Sequence, residues 1–220
     1  DDYSMVDDGD KIAVGVSGGK DSLALLYALS GLRKFYPKKF DIVALTVNLG
    51  FENQDFNLIK DFCKNLDVEC KIIDTEIGDI VFHKRKESNP CSLCAKMRKG
   101  SLNDVAKKMG CNKVAYAHHR DDMIETMLMS LIYEGRFHCF NPVTYLDRMG
   151  LNVIRPMMYV PEMDVIGFAN KYNLPVAKNP CPVDGHTKRE YIKTLVRQLN
   201  RENPNCKDRL FIAVLNGGFD

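Results

Sequence analysis

The stretch Ser17-Gly18-Gly19-Lys20-Asp21-Ser22 decides the fold, because it directly follows the apolar run Ile12-Ala13-Val14-Gly15-Val16. The apolar run predicts a buried strand, and apolar residues at helical spacing over residues 22–35 predict a helix. Adjacent glycines between a strand and a helix let an anion approach the backbone, since glycine tolerates positive φ and has no side chain. The amides of the turn and the helix dipole then favour negative charge. The stretch therefore predicts a phosphate site at the carboxyl end of a strand.

The side chains of this stretch add donors to the backbone amides. Lys20 brings a mobile positive charge, and Ser17 and Ser22 bring hydroxyl groups. The pattern differs from the ordinary P-loop, G-x-x-x-x-G-K-[ST], because its glycines are adjacent and Asp21 follows the lysine.

The string SGGKDS resembles the signature of the PP-loop ATP pyrophosphatase superfamily. Members of that superfamily cleave ATP between the α and β phosphates and adenylate a substrate oxygen. The resemblance implies that residues 17–22 hold the phosphates of ATP and that AMP, rather than a phosphoryl group, is transferred. A plain glycine turn is the alternative, and the intact string between strand and helix argues against it.

The remaining pattern alternates strands with helices. Further strands are predicted at residues 42–47, 70–73, 113–117 and 151–156, and further helices at 56–66, 95–109, 121–133, 162–172 and from 188. This order predicts an α/β fold, a Rossmann-like parallel sheet of the adenine nucleotide alpha hydrolase type with helices on both faces. We expect residues 1–220 to form a single PP-loop domain, in which the part from about residue 175 provides a cysteine-bearing loop and a basic helical extension.

Composition limits the classes of protein to consider. Of the 220 residues 45% are hydrophobic, enough for the core of one α/β domain. No apolar run approaches the roughly 20 residues that cross a bilayer, and no signal-peptide pattern opens the sequence. The chain does not begin with Met, so we expect a segment upstream. The eight cysteines without an export signal indicate the cytoplasm, where disulfides are rare, and predict metal ligands or buried thiols.

A second motif, Ala117-His118-His119-Arg120-Asp121-Asp122, closes a predicted strand and opens a predicted helix. Asp121 can cap that helix, and Asp121 with Asp122 can hold Mg²⁺ beside phosphates. With Glu125 and Thr126 the run reads HHRDDMIET. It resembles the second motif of the tRNA lysidine synthetase and tRNA 2-thiocytidine synthetase group.

The two motifs define the candidate residues for nucleotide chemistry. Catalytic roles are expected for Lys20, Asp21, Asp121, Asp122 and Arg98. Nucleotide binding is expected for residues 17–22 and for four residues near strand ends, which are Val47, Ala117, His118 and Arg155.

Cysteines form the third candidate site. Cys91 and Cys94 form a C-x-x-C pair, placed before the helix expected from residue 95, and such a pair serves zinc, redox or iron–sulfur sites. A zinc tetrahedron would need a second C-x-x-C, which this chain lacks. Cys181, between two prolines, is the best third ligand. Three cysteines suggest a [4Fe–4S] cluster with one iron open, whereas Cys63 and Cys70 are expected to be core thiols. Cys111, Cys139 and Cys206 are assigned no role.

The string PCSLCAKMRKG, followed later by NPC, strongly resembles the cluster-bearing tRNA 2-thiocytidine synthetase group over roughly the whole chain. The resemblance makes Cys91, Cys94 and Cys181 cluster ligands. One departure is that Cys181 is followed by Pro182-Val183-Asp184 rather than by a further C-x-x-C. That departure weakens the inference to the same tRNA position, but not the inference to the cluster.

Basic residues suggest where a substrate could bind. Arg98 lies one helical turn after Cys94 and is expected to face a bound sulfur or a substrate phosphate, or else solvent. Four basic residues form a stripe on one face of the last predicted helix. This stripe either binds an RNA backbone or is an ordinary face exposed to solvent; it consists of Arg189, Lys193, Arg197 and Arg201.

The resemblance and the motifs together predict an ATP-dependent tRNA sulfurtransferase. It would adenylate a base carbonyl and replace the oxygen by sulfur, with ATP, Mg²⁺ and a [4Fe–4S] cluster as cofactors. The expected partners are tRNA and a sulfur donor, either a cysteine desulfurase or free sulfide, with no membrane and with a homodimer as one option. The alternatives are a lysidine-synthetase-like amine ligase that works without iron, a nucleotide-binding module with structural zinc, and an enzyme acting on a free base.

Overall fold

The computed structural model describes residues 1–51, 54–85, 90–177, 181 and 187–217. Six strands alternate with helices along most of the chain. The strands are β1 (Asp10–Gly15), β2 (Phe40–Asn48), β3 (Glu69–Asp74), β4 (Lys113–Ala115), β5 (Val143–Leu146) and β6 (Leu151–Ile154). The helices are α1 (Lys20–Leu32), α2 (Asn57–Asn65), α3 (Ile77–Asp79) continued by a π-helical turn (Ile80–Lys84), α4 (Pro90–Lys108), α5 (Arg120–Glu134), α6 (Glu162–Lys171), α7 (Lys188–Glu202) and α8 (Cys206–Asn216).

The six strands form one sheet in the order β3-β2-β1-β4-β6-β5. All neighbouring pairs are parallel except β5 and β6. The chain runs outward in one direction from β1 to β2 and β3, and β4 then pairs with the other side of β1. Parallel sheets bind ligands where the strand order reverses in this way. The predicted Rossmann-like fold is confirmed, and both sequence motifs leave the sheet at this point.

The core lies on both faces of the sheet. Ile12 and Val14 of β1 pack with α1 and α6 on one face, whereas Ala13 packs with α4 on the other. Alternate residues of a strand point to opposite faces, so a fully covered strand must be apolar throughout. Cys63 is completely buried in this core, as predicted. No helix in the part of the chain described by the structure is long and apolar enough to cross a membrane.

Several elements differ from the sequence prediction. Residues 143–146, in a stretch expected to be a loop, form the edge strand β5, which pairs antiparallel with β6. Helix α4 begins at Pro90 rather than near residue 95, so Cys91 and Cys94 belong to the helix. Proline is favoured at the first helical position, which was the available signal for this start. Helix α8 was not predicted, and the loop expected around Cys181, at residues 179–182, lies outside the described residues except for Cys181 itself.

The acid-rich N-terminal segment is tied down by a buried lysine. Lys113 at the start of β4 is 5% exposed, and its Nζ lies 2.7 Å from Asp10 Oδ2 and 2.8 Å from Asp7 Oδ2. Asp10 is itself 4% exposed. Burial alone would lower the pKa of Lys113, but Asp10 and Asp7 raise it. Asp7 and Asp10 therefore stabilise the fold, at the end of the strands opposite to the two sequence motifs.

Replacing this lysine should destabilise the domain. Lys113→Met leaves the buried Asp10 carboxylate without its cation, which should lower the free energy of unfolding by about 3 kcal/mol. Urea denaturation followed by circular dichroism measures the change. The control is Lys34→Met, since Lys34 is exposed and its loss should stay within about 0.5 kcal/mol of wild type. An equal effect of both variants would show that the buried pair contributes nothing.

Candidate nucleotide and cysteine site

A cavity of about 590 Å³ opens at the carboxyl ends of β1, β2 and β4. It has a PP-loop wall, made by the turn after β1, and a second wall made by α4 and by the turn after β4. Nine of the residues predicted from the sequence line it, namely Ser17, Gly19, Asp21, Ser22, Val47, Arg98, Ala117, His118 and Asp122. The structure thus brings both motifs and the helix that carries Cys91 and Cys94 to one cavity.

The turn after β1 has the conformation that an anion site needs. Gly18 has φ +83°, and a Cβ there would lie 3.3 Å from the Cβ of Ala177. The hydroxyl of Ser22 accepts from the backbone N–H of Ser17 at 3.1 Å and donates to the carbonyl of Gly19 at 2.9 Å. Gly19 begins α1 without a side-chain cap, so no side chain occupies the first amides of the helix. Such uncapped amides favour a bound anion.

Lys20 is not aimed into the cavity. Its Nζ lies 3.0 Å from Asp21 Oδ1 and 3.1 Å from Glu162 Oε1 at the start of α6. Burial alone would lower the pKa of Lys20, but the two carboxylates raise it. The lysine expected to be a mobile phosphate ligand is held in an ion pair in this structure.

Three buried polar atoms on the cavity wall are suited to bind a polar ligand. Thr46 Oγ1, Gln54 Oε1 and His118 Nδ1 find no hydrogen-bond partner among the residues that the structure describes. Leaving a buried polar atom unpaired costs about 1–3 kcal/mol, so these atoms fit a polar ligand such as a nucleoside. Sequence analysis missed Thr46 and Gln54, because a β-branched residue in a buried strand and a polar loop residue carry no distinguishing signal.

His118 is neutral in the cavity wall. Its ring packs against Phe140 with centroids 4.7 Å apart. Burial lowers the pKa of His118 to about 3, assisted by the positive charges of Arg155, Lys99 and Arg189. At neutral pH this side chain is therefore an uncharged hydrogen-bonding group rather than a cation.

Other cations surround the cavity, although Lys20 does not line it. Arg98, Lys99 and Arg189 line it. Burial lowers the pKa of Lys99, and the neighbouring guanidinium groups lower it further. Arg155 does not line the cavity: it is 7% exposed, donates to the Asn141 carbonyl and packs 4.9 Å from the Phe140 ring. Arg155 therefore adds positive potential from behind the wall, rather than the phosphate contact that was predicted.

The second motif is built differently from the prediction. His119, not Asp121, caps α5: its Nδ1 accepts from the Asp122 N–H at 3.3 Å, and Asp122 Oδ2 accepts from the His119 N–H at 2.9 Å. Asp121 caps another helix, because its Oδ2 accepts from the N–H of Glu162 at 2.8 Å. Its Oδ1 lies 2.5 Å from Lys207 Nζ. The expectation that Asp121 caps its own helix was wrong.

The same contacts weaken the magnesium prediction. Both oxygens of Asp121 are engaged, and Asp122 Oδ1 lies 3.3 Å from Arg189. Among the described residues no three His, Cys, Asp or Glu side chains form a group that could hold a metal ion. In this arrangement Asp121 and Asp122 do not fit a magnesium site.

Two of the three candidate cysteines lie in the first turns of α4. Cys91 is exposed and Cys94 is buried there. Burial raises the pKa of Cys94; the positive charge of Arg98 acts to lower it, and the thiols of Cys181 and Cys91 act to raise it. Cysteine thiolates are the usual ligands of iron–sulfur clusters, so the chemistry of this donor set fits such a cluster.

The basic stripe of α7 is only half exposed. Lys193 Nζ lies 2.6 Å from Glu162 Oε1, and Arg189 lies 3.1 Å from Glu125 Oε2. Arg197 and Arg201 are exposed to solvent. Only these last two remain available as an RNA-binding surface of the stripe, because the first two neutralise buried carboxylates.

Residues 3–200 match the family model described as the PP-loop domain. The chain belongs to the PP-loop family. A curated relative named tRNA-cytidine(32) 2-sulfurtransferase, from Geobacter sulfurreducens, is 38% identical over 98% of this chain and 85% of its own length. A protein of the same name from Pelobacter propionicus is 36% identical over 98% of this chain and 81% of its own length.

A solved structure extends the PP-loop assignment to three dimensions. The structure of the U34-tRNA thiolase NcsA from Methanococcus maripaludis with its [4Fe-4S] cluster superposes with a TM-score of 0.79 at 26% identity. The match covers 96% of this chain and 72% of NcsA. The resemblance to the PP-loop superfamily and to its tRNA-thiolating group, inferred from SGGKDS, HHRDDMIET and the cysteines, is confirmed.

Strain at Gly18 provides a test of the PP-loop. An L-residue at this positive φ costs roughly 1–2 kcal/mol, so Gly18→Ala should turn the loop amides away and weaken ATP binding about tenfold. Isothermal titration calorimetry measures the dissociation constant. Gly31→Ala is the control, because no described atom lies within 4 Å of a Cβ there. Unchanged ATP affinity in Gly18→Ala would contradict binding on this loop.

The buried His118 predicts a pH dependence of stability. Its pKa of about 3 in the folded protein lies below the ordinary histidine value of 6.5, so only the unfolded state takes up a proton as the pH falls below 6.5. Lowering the pH from 7 to 5 should therefore lower the free energy of unfolding by about 2 kcal/mol through His118 alone. Denaturation of His118→Phe at both pH values should lack that loss. His83→Phe, at an exposed histidine, should behave as wild type, and equal pH slopes in all three proteins would refute the assignment.

Proposed function

We propose that this protein is an ATP-dependent tRNA sulfurtransferase, which adenylates a base carbonyl and replaces its oxygen by sulfur. One observation carries the proposal: helix α4 carries Cys94 and, one turn later, Arg98, which lines the nucleotide cavity and whose charge acts to lower the pKa of Cys94. The adenylating site and the cysteine site are therefore adjacent. The names of the relatives and the match to a cluster-bearing tRNA thiolase support the same function.

ATP binds with its phosphates on the amides of residues 17–22. Thr46, Val47 and Gln54 lie on the β2 side of the cavity, where the unpaired oxygens of Thr46 and Gln54 suit the polar atoms of adenosine. His118 adds an uncharged polar contact on the side of β4. This orientation leaves the phosphates between the PP-loop and α4.

Adenylation requires the base oxygen to attack the α phosphorus while pyrophosphate leaves. Negative charge grows on the phosphate oxygens in that transition state, and cations already in place lower its free energy. Arg98, Lys99 and Arg189 line the cavity and supply this charge. The target base must leave its stack to reach the cavity, as enzymes that modify bases require.

Cys91, Cys94 and Cys181 would hold a [4Fe–4S] cluster at the N-terminal end of α4. When bound, such a cluster supplies an iron with an open coordination position for a sulfur nucleophile. Arg98 opposes the effect of burial on the pKa of Cys94 and lines the nucleotide cavity one helical turn after that cysteine. Sulfur then displaces AMP from the activated carbon, which completes the exchange of oxygen for sulfur.

Substrate and partners follow from this assignment. tRNA is the substrate, with Arg197 and Arg201 available for its backbone. The sulfur comes from a cysteine desulfurase or from free sulfide. We further propose a single PP-loop domain over residues 1–220, with the cysteine-bearing loop and basic helices beyond about residue 175 as its extension. A homodimer and the cytoplasm remain our expectations for assembly and location.

Two other functions have less support. A lysidine-synthetase-like amine ligase would use the same ATP site but would not need three neighbouring thiols at the cavity. A structural zinc module needs ligands around one ion, and the described residues provide no such group.

Metal content is the first test. Anaerobically purified protein should contain about four irons and four acid-labile sulfides per chain, as three ligating cysteines of a [4Fe–4S] cluster imply. Cys181→Ala should lose them, whereas the control Cys111→Ala, at a buried thiol among the helices and strands of the core, should keep them. Stoichiometric zinc, or no metal after reconstitution, would contradict the sulfur-transfer mechanism.

Activity is the second test. With ATP, tRNA and sulfide, mass spectrometry of the digested tRNA should show a thionucleoside, with AMP and pyrophosphate formed in equal amounts. Arg98→Met should lower kcat about 100-fold, because it removes charge aimed at the transition state, and Arg98→Lys should recover part of it. A lysine adduct, or full thiolation by Cys181→Ala, would favour the amine ligase or another sulfur route.

A further inference from the structure

We propose that Glu162 is a positioning residue for Lys20: it holds the lysine outside the nucleotide cavity and releases it to the phosphates when ATP binds. The inference deepens the proposed function and rests on ATP being the ligand of the cavity. It concerns a residue at the start of α6, far in sequence from both nucleotide motifs.

The geometry shows a carboxylate shared by two lysines. Glu162 Oε1 accepts from Lys20 Nζ at 3.1 Å and from Lys193 Nζ at 2.6 Å. The Glu162 side chain is only 11% exposed, and its backbone N–H is fixed by Asp121. Burial would raise the pKa of Glu162, but Lys193 and Lys20 lower it to about 2. The acceptor is therefore a permanent, rigidly held negative charge.

Lys20 can reach the cavity from this position. It is the first residue of α1, and its neighbours in sequence on both sides, Gly19 and Asp21, line the cavity. A lysine ammonium is a compact charge on a flexible four-carbon chain, so rotation of the side chain can move it between two acceptors. Bound phosphates would compete with Glu162 for this ammonium.

Because Lys193 also binds Glu162, Lys20 can leave Glu162 for the phosphates with little loss of free energy. Removing the only cation from a buried carboxylate is strongly destabilising. Here Lys193 of α7 stays on the same oxygen after Lys20 leaves, so Glu162 keeps a partner. Without ATP, Lys20 and Lys193 share one acceptor oxygen, so Glu162 binds each of them less tightly. Lys193 thus allows Lys20 to leave Glu162 and bind the phosphates.

Removing Glu162 and removing its second lysine should change ATP binding in opposite directions. Glu162→Gln removes the competing charge and should tighten the binding of α,β-methylene ATP about fivefold. Lys193→Met leaves Glu162 to Lys20 alone and should weaken binding about fivefold. Calorimetry on the full chain measures both. Lys171→Met, which removes an equal charge from the exposed C-terminal end of α6, should leave the affinity within about twofold of wild type.

A double-mutant cycle separates positioning from a general field effect. If Glu162 acts through Lys20, both changes should shrink below about twofold in a Lys20→Met background. Changes that persist at full size without Lys20, or shifts in the same direction for both variants, would overturn the proposal. Wild-type protein that binds no ATP would instead overturn the proposed function.

Reactivity of the lysine gives an independent readout if Lys20→Met binds ATP too weakly to measure. Trace labelling with acetic anhydride, followed by peptide mass spectrometry, reports how readily the Lys20 amine is released from its partner. Labelling of Lys20 in the ATP-free protein should rise several-fold in Glu162→Gln and fall in Lys193→Met. Equal labelling in wild type and both variants would show that Glu162 does not hold Lys20.

Discussion

Parallel pairing of β1 with β4 brings the two nucleotide motifs together, and the rest of the site depends on it. Val14 of β1 lies beside Ala115 of β4, so the turns that follow both strands open at the same edge of the sheet. The crossovers from these strands leave in opposite directions, and the crevice between them becomes the cavity. A strand at either side of this pair could change with less effect, because it contributes walls rather than the meeting of the motifs.

Charge is distributed so that the scaffold and the cavity use different residues. Asp121 and Glu162 tie α5 and α6 to lysines from α7 and α8, which anchors the C-terminal helices against the nucleotide motifs. These pairs are largely buried and mutually neutralised. The cavity consequently keeps positive charge from Arg98 and Lys99, the sign that an entering triphosphate requires.

Helix α4 carries residues of both the cysteine site and the nucleotide cavity. Its N-terminal end places Cys91 and Cys94 in the favourable field of the helix dipole, and its next turn directs Arg98 to the cavity. A helix spaces residues four apart along one face, so Cys94 and Arg98 keep a fixed relation. This rigidity gives the proposed sulfur transfer a defined path from the cysteines to the nucleotide.

The sequence by itself determined the α/β class, the PP-loop after β1, the second motif and the three cysteines, because each depends on local spacing and residue type. Only the tertiary structure decided how charges are paired. It turned Lys20 toward Glu162, set Asp121 on another helix, placed Arg155 behind the wall and exposed the unpaired atoms of Thr46 and Gln54. Such contacts join residues distant in the chain, and one sequence pattern is compatible with many partners. Local periodicity predicts elements, whereas ion pairing depends on where those elements meet.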